Sequence, residues 1–96
     1  MYLKKIGEDY LQRCAEICRE GYCKLSFNRE KIKEELINKY GINGNKDYVS
    51  GLIAICDQIV FDFLDVAMSR GNRSFGWPEY HEQELRNRIN TALQEA

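Results

Sequence analysis

The chain has 96 residues and carries 14 lysines and arginines against 15 aspartates and glutamates, a formal net charge of -1. That length supports one modest core, burying roughly 65% of the surface an unfolded chain exposes. Near-neutrality leaves no strong positive field to draw the protein nonspecifically to nucleic acid or to an anionic membrane.

The start, MYLKKIGEDYL, alternates charged with apolar residues, where a secretory signal needs an uninterrupted apolar run. The most apolar stretch, YVSGLIAICDQIVFDFLDVAM, is broken by Asp57, Asp62 and Asp65, each costly in hydrocarbon. It is therefore expected as a core helix and not as a membrane span. These features lead us to expect a single soluble helical domain over 1–96, cytoplasmic, with no membrane contact. In that reducing compartment Cys14, Cys18, Cys23 and Cys56 are expected as thiols, not as a disulfide framework.

In chain order, the first helix is predicted from about Leu3 to Glu20, with Ile6, Tyr10, Leu11, Cys14, Ile17 and Cys18 on its apolar side and Gly21 as its stop. The second follows Asn28, a good cap for the first orphan amides, and turns Ile32, Leu36, Ile37 and Tyr40 inward. Gly41 and Ile42 have the pattern of a Schellman ending, in which Ile42 touches Ile37. The third helix begins near Asn45 or Asp47 and runs to Gly71. Its polar residues Gln58, Asp62, Asp65 and Ser69 share one narrow stripe, and most of its remaining circumference is apolar. The fourth begins at Pro78, with Glu79 and Glu82 suited to a positive helix end and His81, Leu85, Ile89, Ala92 and Leu93 facing inward.

This pattern predicts an all-α fold, a small four-helix bundle around one long, strongly apolar central helix, the third segment. The order short, long, short in segments two to four also has the outline of a histone-like handshake dimer, which is the alternative. Any apolar surface of the third helix left uncovered within one chain would favour a two-fold homodimer.

The segment RGNRSFGWPEYH concentrates the chemistry of partner recognition. Arg70 and Arg73 suit phosphate or carboxylate, while Phe75 and Trp77 suit stacking or a partner's pocket, and arginine with large aromatics dominates binding hot spots. The competing reading folds Phe75 and Trp77 over the end of the bundle. Gln58, Asp62 and Asp65 form a secondary acidic surface on the hub helix, whose default role is a solvated face.

Zinc is disfavoured, because Cys14 and Cys18 lie on the apolar stripe and the spacing to Cys23, Cys56 or His81 matches no familiar knuckle. His81 is the one histidine, and no nucleophile elbow or phosphate-cradling glycine loop accompanies it. Neither a metal nor a cofactor is expected. Oppositely charged pairs such as Glu30 with Lys33 and Glu35 with Lys39 read as helix-stabilising surface.

The function expected on these grounds is a non-enzymatic helical protein–protein interaction module, an adaptor, subunit or stoichiometric inhibitor. Small regulators of phage and mobile elements offer an analogy. The alternative is a small nucleic-acid-binding regulator acting as a dimer that pools Arg70, Arg73, Arg86 and Arg88. Few cations at the start of the third helix make that alternative weaker.

Overall fold

The computed structural model describes residues 2–42, 44–69 and 81–95. Among them are four helices, α1 (Tyr2–Cys18), α2 (Tyr22–Tyr40), α3 (Lys46–Ser69) and α4 (Glu82–Glu95), and no strand. The fold is an all-α bundle.

The first turn arrives earlier than the sequence suggests. Arg19 and Glu20 leave α1 as a turn, and α2 starts directly after Gly21 at Tyr22, six residues before the expected cap at Asn28. Asn28 instead lies inside α2, where its side-chain amide donates to the Lys24 carbonyl one turn earlier at 2.8 Å. The first turns of α2 bury Leu25 alone among their fully described residues, so the apolar period becomes legible from Ile32 onward.

The end of α2 falls where expected but by a different device. The Gly41 N–H donates to the Ile37 carbonyl at 2.8 Å, yet its φ of -97° is not the left-handed conformation of a Schellman ending, and Ile42 is 72% exposed. Glycine is required here by close approach, since a β-carbon would lie 2.7 Å from the Ile37 carbonyl oxygen.

Helix α3 opens as predicted, with the Asn45 carbonyl accepting from the Val49 N–H at 3.0 Å. It is the longest element, 24 residues or about 36 Å. Its expected end, Gly71, lies outside the described residues, as does Pro78, the expected start of the fourth helix. Helix α4 is described from Glu82, with Glu82 and Glu84 in its first turn favouring the positive helix end.

The packing modifies the expected architecture. Helices α1 and α3 each pack against the three others, whereas α2 and α4 do not touch. The centre is therefore an α1/α3 pair flanked on opposite sides, and the place expected for the third helix alone is shared with α1. Ile6, Tyr10, Leu11, Cys14 and Cys18 of α1 meet Leu52, Ile53, Cys56, Val60 and Leu64 of α3 in one core, closed by Leu25, Ile32 and Leu36 from α2 and by Leu85, Ile89 and Leu93 from α4.

Gly7 brings α4 close to α1, because a β-carbon there would stand 2.7 Å from Ile89 Cγ2. The same helix pair is joined by Arg86, whose Nε donates to both Glu8 carboxylate oxygens at 2.8 and 3.0 Å. Among the described residues, no helix is long and apolar enough to cross a membrane.

Candidate functional site

Helix α3 turns Val49, Leu52, Ile53, Cys56, Val60, Phe61 and Leu64 into the core. Along the edge of its opposite face runs a second apolar line. Tyr48 and Val66 are about half exposed, at 54% and 53%, and Ile55 and Ile59 between them are half-buried. Their spacing of seven, four and seven residues keeps all four within an arc of about 40° at the helical repeat, over about 27 Å of helix. Gly51 sits beside this line with nothing within 4 Å of where a β-carbon would be. The other glycine inside a helix near its packing face, Gly7, meets Ile89; Gly51 meets open space.

The acidic stripe expected from the sequence lies on one flank of this seam. Gln58, Asp62 and Asp65 are all exposed, and Gln58 Nε2 donates to Asp62 Oδ1 at 2.8 Å. Asp47, at the start of α3, is exposed on the same flank. The other flank is the α4 side, where the His81 ring lies 5.2 Å from that of Phe63. His81 itself is exposed, not directed inward as its place on the Leu85 line suggests, and its Nδ1 stands 3.7 Å from Glu84. It falls just before α4, in a 3₁₀ position, so the α-helical register does not apply to it.

A second polar constellation escaped the sequence reading. Among the described residues, Asp57, 5% exposed, is the charged residue buried in the core. Its Oδ1 accepts from the Tyr10 hydroxyl at 2.7 Å and from Arg29 Nε at 2.8 Å, and its Oδ2 from Arg29 Nη2 at 2.7 Å, with Lys33 Nζ 3.7 Å away. The Arg29 guanidinium lies over the Phe61 ring at 4.1 Å. Burial alone would raise the Asp57 carboxyl, but the hydrogen bonds from Arg29 and Tyr10 and the charges of Arg29 and Lys33 outweigh it and hold the group below its ordinary value. Burial likewise raises Tyr10, so the phenol stays protonated and donates to Asp57. The cluster ties α1, α2 and α3 in one register, and its fully paired state marks it as a structural device and not a reactive one.

The thiols divide by depth. Cys14, Cys18 and Cys56 are buried, and burial pushes Cys14 and Cys56 up to about 12, whereas Cys23 is exposed near the start of α2. Among the described residues, no three histidine, cysteine, aspartate or glutamate side chains gather to hold a metal ion. Arg86 is engaged with Glu8, and Arg88 Nη2 meets Glu84 at 2.6 Å, so each cation is locally neutralised. Arg70, Arg73, Phe75 and Trp77 lie outside the described residues.

The expected Glu30–Lys33 pair forms at 3.0 Å. Glu35 and Lys39 instead reach across to α1, Glu35 to Arg13 at 3.1 Å and Lys39 to Asp9 at 3.0 Å, and the Tyr40 hydroxyl also donates to Asp9. Asp9, Arg13, Glu35 and Lys39 line an open groove of about 270 Å³ between α1 and α2, with Gln12, Glu16 and Leu36. Its charged groups largely satisfy one another, which leaves the groove little chemistry to offer a ligand.

The chain matches no known family model, no curated protein and no solved structure.

Proposed function

We propose that the protein is a non-enzymatic helical interaction module, an adaptor, subunit or stoichiometric inhibitor that works by covering a partner's surface. The observation that carries this reading is the apolar line of Tyr48, Ile55, Ile59 and Val66, exposed at its two ends and half-buried at its centre, on a helix whose other side already supplies the core. Regularly spaced anchors on one helix face are the usual form of helix-mediated recognition. Gly51, open where a β-carbon would stand, lets another backbone come close.

Gln58, Asp62 and Asp65 form the polar rim of that face, as expected of an interface with an apolar centre. Arg70, Arg73, Phe75 and Trp77 enter the proposal on their sequence chemistry alone, as a further contact beyond the end of α3. Nucleic acid is the weaker partner class, since the exposed face of α3 bears carboxylates where phosphate contacts require cations. A cytoplasmic setting agrees with four free thiols.

The test is affinity capture of the tagged protein from a lysate of its native cells, with and without nuclease. A protein recovered stoichiometrically in both supports the module; recovery that disappears with nuclease moves the function to nucleic acid.

A further inference from the structure

We draw no further inference here: the strongest candidate, the apolar line of Tyr48, Ile55, Ile59 and Val66 along α3, is packed against the core at its centre, and nothing in the structure shows what covers its exposed ends.

Discussion

The Tyr10 hydroxyl donates to Asp57 Oδ1 at 2.7 Å across 47 residues of sequence, joining α1 to α3 inside the core. Removing that hydroxyl leaves the ring's packing intact and takes one donor from a buried carboxylate. Tyr10→Phe is expected to cost about 1–2 kcal/mol by urea denaturation. A loss below the error of the measurement would mean that the bond contributes nothing to stability.

Arg29 supplies the two remaining short hydrogen bonds to the same carboxylate while its own side chain is 36% exposed. Arg29→Met strands Asp57 with Tyr10 and the more distant Lys33, and is expected to cost about 3 kcal/mol, the low end for a broken buried pair because the guanidinium side is partly solvated. Asp57→Leu combined with Arg29→Met should recover much of that loss. A double variant less stable than the single would contradict the view that the carboxylate, once alone, is the source of the cost.

Acid should unfold the protein through two carboxylates. Asp57 and Asp9 are both held below their ordinary value of 3.8; burial raises each, but for Asp9 the bonds from Tyr40 and Lys39, and for Asp57 those from Arg29 and Tyr10, prevail. A depressed folded value means that each carboxylate stabilises the fold fully above about pH 4, and that this stability is lost as pH falls through the folded values. Urea midpoints are expected to hold from pH 7 to about 5 and drop steeply below 4. The Asp57→Leu, Arg29→Met variant should drop less steeply.

The two helical glycines should respond in opposite directions. A β-carbon at Gly7 meets Ile89 Cγ2 at 2.7 Å, so Gly7→Val forces α4 outward and is expected to cost about 1–3 kcal/mol. Gly51 has open space around it, and Gly51→Ala should stabilise by about 0.5–1 kcal/mol through helix propensity alone. Thermal melts of the two variants check both signs at once.

Thiol reactivity should follow depth. Cys23 is exposed, whereas Cys14 and Cys56 are buried and shifted up to about 12. One thiol per chain is expected to react promptly with a disulfide reagent in the native protein, and the others only as it unfolds. Rapid reaction of all four would contradict the described core.

Much of this fold could be read from local pattern. Ile6, Tyr10, Leu11 and Cys14 on α1, and Leu85, Ile89 and Leu93 on α4, follow helical spacing and are buried as that spacing implies. The start of α2 was not legible, because Tyr22 to Phe27 show no apolar period and Asn28 bonds its own helix instead of capping it. Asp57 was hidden for another reason. In sequence it is one of three aspartates interrupting an apolar run, and its partners Tyr10 and Arg29 lie 47 and 28 residues away. The acidic stripe at Gln58, Asp62 and Asp65 was readable from spacing alone. The apolar seam beside it was not, since separating Ile55 and Ile59 from the core line requires knowing which sides of α3 the other helices cover.

The most direct test of the central claim is a comparison of capture by three forms of the tagged protein in nuclease-treated lysate: wild type, the seam variant Tyr48→Lys, Ile55→Ser, Val66→Lys, and a control, Phe27→Ser. Phe27 is 91% exposed on α2, so the control removes a large apolar side chain away from the seam. With folding of all three verified by thermal melts, the account predicts that the wild type and Phe27→Ser retain one stoichiometric protein partner and that the seam variant loses it. Full retention by a folded seam variant would contradict the assignment of α3 as the interaction surface.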